Sequence, residues 1–223
     1  MMKATKTMRG MGLMIAALMV VACHNDNLPP RLSKAQKQEY GTKLAGTYGG
    51  EYNIIYTLNK QDSVFGGKIK EATMSITDYD MQGIFFHDFP VSLLSHIVQD
   101  PDLSKALADV PNQDISARYD FQYYTDYVST LMSFEPVPVA LTLDYGGATH
   151  HIIIRLGNNW RNYLFQPEHW TQQRPLLSAQ WQLVFEFMAI YDGDRLVQEF
   201  GYGNYDAYGM FVVFKIDDAN DQP

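Results

Sequence analysis

The spacing of apolar residues changes twice along this chain, and that change constrains the fold more than any other feature. From Thr47 to His87 apolar side chains recur every second residue. From Pro90 to Pro111 they recur every third or fourth, and from Ile115 onward β signals dominate again. Period two is that of strands with one buried face, whereas an amphipathic helix repeats every 3.6 residues. The expectation is a mainly β (α+β) fold, an antiparallel β-sandwich or open barrel of about 8–10 strands with a helical pair inserted near residues 90–110.

Individual segments sharpen that reading. Ser33 with Gln36 three residues later forms a capping box that opens a short helix to about Leu44, where Gly46 ends it. In the strand from Thr47 to Leu58, Tyr48, Tyr52, Ile54 and Tyr56 share one parity. The next strand, Lys68 to Thr77, alternates with one register change near Glu71, and a short apolar run follows from Met81 to His87. Pro90 is well placed to start a helix with Val91, Leu94, Ile97 and Val98 on one face. Asp100-Pro101 starts a second with Leu103, Ala106, Leu107 and Val110. Ser116 to Phe134 is two strands or one long bent one. Gly146-Gly147 between Val137–Tyr145 and Thr149–Leu156 marks a hairpin, as does Asp192-Gly193-Asp194 between Gln180–Tyr191 and Arg195–Phe200. Asn158 to Pro175 reads as irregular, and Met210 to Ile216 as a last strand.

Ahead of the folded part lies an export signal. Lys3, Lys6 and Arg9 precede an apolar run from Met11 to Val21, which ends in Val20-Val21-Ala22-Cys23. Charge, apolar run and small residue in that order form a secretory signal. Some 11 apolar residues cross only about 16 Å as a helix, well short of a bilayer core. The segment resembles a lipobox, which implies cleavage before Cys23 and acylation of that cysteine. Residues 1–22 would be the cleaved signal peptide and 23–32 a Pro29-Pro30 tether of about 30 Å when extended. Residues 33–217 would form one β-rich domain, or two subdomains divided near 112–135, and 218–223 a frayed tail.

Composition then excludes whole classes of function. Cys23 is the one cysteine, so an acylated chain has no thiol for a disulfide, zinc site or catalytic nucleophile. Removing Lys3, Lys6 and Arg9 from 17 Lys+Arg leaves 14 against 25 Asp+Glu, a formal charge of −11. That balance, with no basic cluster, argues against nucleic acid and against a polybasic membrane patch. Membrane contact falls to the lipid, for which two or more acyl chains suffice. No cofactor and no metal are expected. His150-His151 would point to opposite faces of a strand and so cannot share an ion. An EF-hand loop begun at Asp78 would need a glutamate at its twelfth position, which is Phe89. His87 beside Asp88 reads as a strand-end pair. No Gly-x-Ser-x-Gly elbow, phosphate loop or His-Glu-x-x-His occurs.

Aromatic residues are the remaining signal: 15 Tyr, 12 Phe and three Trp. Those on strands, Tyr119 and Phe121 among them, are expected to pack cross-strand with their hydroxyls in water. Trp160, Tyr163, Trp170, Tyr202, Tyr205 and Tyr208 fall in loop-like stretches, where aromatic faces suit a sugar or a protein surface. The ligand-binding candidates are Trp160, Trp170, Tyr202, Tyr205 and Tyr208.

Leu44-Ala45-Gly46-Thr47-Tyr48 after a lipoprotein signal and tether resembles the opening of secreted lipoproteins of unknown function from Bacteroidetes. Asp88-Phe89-Pro90-Val91 after an apolar strand is similar to a motif in one such family. That resemblance implies an outer-membrane lipoprotein, on either face, with no established catalytic residues to transfer. The first expectation is a lipid-anchored, non-catalytic module binding a glycan or a protein. A glycoside hydrolase using two of Glu135, Glu186, Glu199, Asp144 and Asp192 is the second, and a structural envelope protein the third.

Overall fold

The computed structural model describes residues 31–57, 63–123, 130–157, 163–165, 182–200 and 209–217. Helix α1 (Lys34–Leu44) opens on the expected capping box: Ser33 Oγ accepts from the Gln36 N–H, and Gln36 Oε1 accepts from the Ser33 N–H at 2.9 Å. It carries no apolar stripe and buries only Gly41 and Leu44. Polar contacts dock it instead, with Lys37 Nζ 2.7 Å from Asp120 and Gln38 bonded to Asp80. Gly41 is needed at the crossing, because a Cβ there would stand 2.6 Å from Tyr79.

Among the described residues eleven strands follow: β1 (Gly46–Thr57), β2 (Ser63–Ile76), β3 (Gly83–Phe89), β4 (Gln113–Tyr123), β5 (Thr130–Pro136), β6 (Val139–Tyr145), β7 (Ala148–Gly157), β8 (Tyr163–Phe165), β9 (Gln182–Asp192), β10 (Arg195–Glu199) and β11 (Gly209–Ile216). They form one antiparallel sheet in the order β6-β7-β9-β11-β1-β2-β3-β4-β5-β8, with β10 added on β9. The sheet curls into a half-barrel. Its curl brings β5 near β7, although six strands stand between them in the order. A single curled sheet selects the open barrel over the sandwich. Tyr163, expected in a loop, begins the short strand β8.

Alternation decides which face is buried. Tyr52, Ile54 and Tyr56 of β1 point inward, as do Met74 and Ile76, Ile84 and Phe86, Ile115 to Phe121 at every second residue, and Leu183, Phe185 and Phe187. The expected register change is a bulge between Gly50 and Tyr52, opposite Glu71 in a left-handed conformation (φ +58°). Aromatic rings meet across the interior. Phe86 lies 5.0 Å from Phe185 and 5.9 Å from Phe214 between ring centroids, and Phe89 lies 5.6 Å from Phe185. Each buried ring contributes about 1.5–3 kcal/mol through loss of hydrated apolar surface.

One end of the half-barrel is closed by the chain between β3 and β4. It forms a 3₁₀ turn, Val91–His96, and helix α2 (Pro101–Ala108), so the expected pair is present with its first member wound more tightly. Pro90 precedes that turn as its N-cap. Asp100 caps α2, accepting from the Asp102 and Leu103 N–H groups, and Pro101 takes the first helical position, where no donor is needed. Val91, Leu94, Leu103 and Leu107 plug the core from this end. The tyrosine hydroxyls depart from expectation. Tyr119 and Tyr52 are buried whole, and their hydroxyls donate to the carbonyls of Thr77 and His87 at 2.8 Å, because a buried hydroxyl requires a partner.

Candidate functional site

A polar cluster sits where two hairpin tips meet the start of α2. Gly146 and Gly147 join β6 to β7 with φ of +56° and +82°, the left-handed pair a two-residue type I′ turn demands. A Cβ built on Gly146 would lie 4.0 Å from Asp102 Oδ2, so the tip stands beside the N-terminus of α2. The β9–β10 tip is tied in by Gly193, whose N–H donates to the His151 carbonyl at 2.8 Å.

Register explains how the side chains converge. Ile152 pairs with Leu141 and with Asp192, and Leu143 pairs with His150, so His150 and Asp192 share the inner face at its polar end. His150 Nδ1 is 2.8 Å from Asp192 Oδ2, and the Arg195 guanidinium reaches the same oxygen at 3.3 Å. The hydrogen bond from His150 is the main cause holding the Asp192 carboxyl below the usual carboxylate range. Tyr145 stacks on the His150 ring, 3.9 Å between centroids and 18° from parallel. Burial first, then the charges of Asp192 and Asp100, push the Tyr145 phenol up, so it stays a neutral donor. On the other side of the tip Thr149 donates to Asp144 at 2.6 Å. An open cavity of about 430 Å³ is lined by Asp144, Tyr145, Gly147, Ala148 and Thr149. Its volume falls in the range of small-molecule sites.

His150 and His151 do face opposite sides, and the inward parity of Ile152 and Ile154 carries His150 to Asp192, 42 residues away. The His87–Asp88 reading is corrected. Asp88 turns away at φ +52° in a bulge, and the His87 ring bonds Asp114 instead. Of the five carboxylates considered for hydrolysis, Asp144 alone lines the cavity. Asp192 is committed to His150 and Arg195, Glu186 is buried on β9, and Glu135 and Glu199 are exposed on β5 and β10. Among the described residues no three His, Cys, Asp or Glu side chains converge to hold a metal ion. Cys23, Trp160, Trp170, Tyr202, Tyr205 and Tyr208 lie outside the described residues.

Fold and rim together define a mostly β half-barrel domain with a packed interior and a polar, aromatic rim. The chain belongs to a family described as a domain of unknown function, DUF4840, whose model matches residues 43–182, more than half of its length. That match covers the sheet from β1 to the start of β9. No curated protein and no solved structure matches the chain.

Proposed function

We propose that this is a cell-envelope lipoprotein, held at the outer membrane by acyl chains on Cys23, whose half-barrel binds a glycan at the β6–β7 rim. The observation that carries the reading is the contrast between interior and rim. Phe86, Phe89, Phe185 and Phe214 pack ring against ring in the interior, while the cavity at the hairpin tip is lined by a phenol, a carboxylate and a hydroxyl with Gly147 and Ala148. A polyhydroxylated ring takes up such groups by hydrogen bonding and by stacking on an aromatic face. Among the described residues Asp144 is the one carboxylate lining the cavity, which supports binding over glycoside hydrolysis, since that chemistry needs two. We retain Trp160, Trp170, Tyr202, Tyr205 and Tyr208 as proposed ligand-binding residues on the strength of the sequence alone.

Calorimetric titration with glycan fragments released from the envelope tests this reading. Saturable binding that weakens at least tenfold in Tyr145→Ala, a loss of about 1.4 kcal/mol, is expected. Equal affinity in that variant, or no binding by any envelope glycan, would count against it, and retention of a protein in its place would favour a protein partner.

A further inference from the structure

The outer face of the sheet carries a second constellation, away from the rim and independent of it. Ser75, His87 and Asp114 stand on the adjacent strands β2, β3 and β4. Each falls between inward residues: Ser75 between Met74 and Ile76, His87 beyond Phe86, Asp114 before Ile115. Ser75 Oγ is 2.8 Å from His87 Nε2, and His87 Nδ1 is 3.0 Å from Asp114 Oδ2. The other carboxylate oxygen of Asp114 accepts the Asp88 N–H at 3.1 Å, which the bulge turns toward it. The ring is braced as well: Phe85 lies parallel to it within 13°, and the His87 carbonyl receives the Tyr52 hydroxyl.

Hydrogen-bond chemistry fixes the roles. The Asp88 amide first, and then His87, hold the Asp114 carboxyl below the usual carboxylate range, so Asp114 is ionised at neutral pH and can only accept. A neutral His87 must therefore carry its proton on Nδ1. Its Nε2 lone pair then faces the Ser75 hydroxyl, the same atoms in the same order as in serine acyl-transfer sites. The His87 side chain is 31% exposed and that of Asp114 56%, so a reagent reaches the group from solvent.

We propose that Ser75 is an activated nucleophile that takes an acyl group from activated carboxylic esters, with His87 as general base and Asp114 as the positioning residue. Ser75 Oγ bonds to the ester carbonyl carbon while its proton passes to His87 Nε2. The bond from that carbon to the leaving oxygen breaks, the departing alcohol takes the proton from His87, and an acyl-Ser75 ester remains for water to hydrolyse. The rate is bounded by the backbone. β2 is paired on both sides at Ser75, with Thr47 and with Phe85, so the ladder takes up the amide that would otherwise steady an oxyanion. Each such donor is worth about 10²–10³ in rate. The expected behaviour is acylation with slow turnover, which leaves the adduct in place.

The test treats the purified full chain with a fluorophosphonate probe and maps the adduct by mass spectrometry. One adduct on Ser75 is expected, with Ser116, on the same outer face without an imidazole, left unmodified. Ser75→Ala abolishes labelling. His87→Gln slows it at least 100-fold, within the range for removing a general base. Asp114→Asn also slows it and moves the His87 proton to Nε2, read from ¹⁵N shifts, while Asp114→Glu restores both. Ser75 labelled no faster than Ser116, or equally fast in His87→Gln, would overturn the proposal. So would a wild-type His87 protonated on Nε2 in the neutral ring, a readout that needs no variant to fold.

Discussion

Gln198 clamps the helical plug to the sheet, and its replacement should cost more than any other single polar change on β10. The residue is 9% exposed, and both ends of its side-chain amide are used. Oε1 accepts the Gln99 N–H at 2.8 Å and Nε2 donates to the Ile97 carbonyl at 2.9 Å, just ahead of α2. Gln198→Leu keeps the volume and orphans both backbone groups. The Ile97 carbonyl is buried and loses its partner outright, about 1–3 kcal/mol, while the Gln99 amide is part-buried and forfeits a net bond of about 0.5–1.5 kcal/mol. The sum is about 1.5–4.5 kcal/mol, a large share of a typical domain stability of about 5–15 kcal/mol. Gln198→Glu separates the two bonds. It keeps an acceptor for Gln99 but sets a carboxylate against the Ile97 carbonyl, so it is destabilised at pH 7 and recovers in acid, where the protonated acid donates. Urea titration reads this as a fall in midpoint of about 1 M at unchanged slope, for a slope of about 2–3 kcal/mol/M. A leucine variant within about 0.5 kcal/mol of wild type, or a glutamate variant equal to wild type at pH 7, would refute the clamp.

The remaining predictions concern the β6–β7 tip and the α1 ion pair. Gly147→Ala forces a side chain to φ +82° and should cost about 1–2 kcal/mol, a drop in melting temperature of about 2–8 °C. Gly146→Asn, at the lower φ of +56°, should be nearly neutral by the same melt, because asparagine tolerates that turn position. Burial acts to raise the Asp120 pKa, but the hydrogen bonds from Lys37, Tyr79 and the Phe121 amide outweigh it and leave the carboxyl below its ordinary value. Its contribution is thus complete above an unfolded value of about 3.9 and is lost as pH falls through the lower folded one. Asp120→Asn should flatten that part of the acid-unfolding curve; an unchanged curve would remove Asp120 as a source.

Local features were legible and long-range ones were not, for a physical reason. The capping box at Ser33, the glycines at the β6–β7 tip and the register change at Glu71 each follow from contacts within a few residues. Parity set Tyr119 and Phe121 on one face of a strand, yet it could not show that the Tyr119 hydroxyl would be buried and reach the Thr77 carbonyl 42 residues away. The two histidine–aspartate pairs span 27 and 42 residues, and each depends on which strands become neighbours. Nothing near His87 in the sequence names Asp114. Alternation could have set Ser75, His87 and Asp114 on one face, but only the order β2-β3-β4 puts them in a row. The tight winding of Val91–His96 likewise answers to packing against the core, since its spacing reads equally well as an α-helix.

Where the domain is held decides which partners it can meet, and that proposal rests on one covalent modification. The most direct measurement is the intact mass of the protein extracted from native membranes. The expected mass is that of a chain beginning at Cys23 and carrying acyl groups that protease digestion and fragment masses trace to its first residue. A chain of unacylated mass, or one still carrying residues 1–22, would contradict the tethered account.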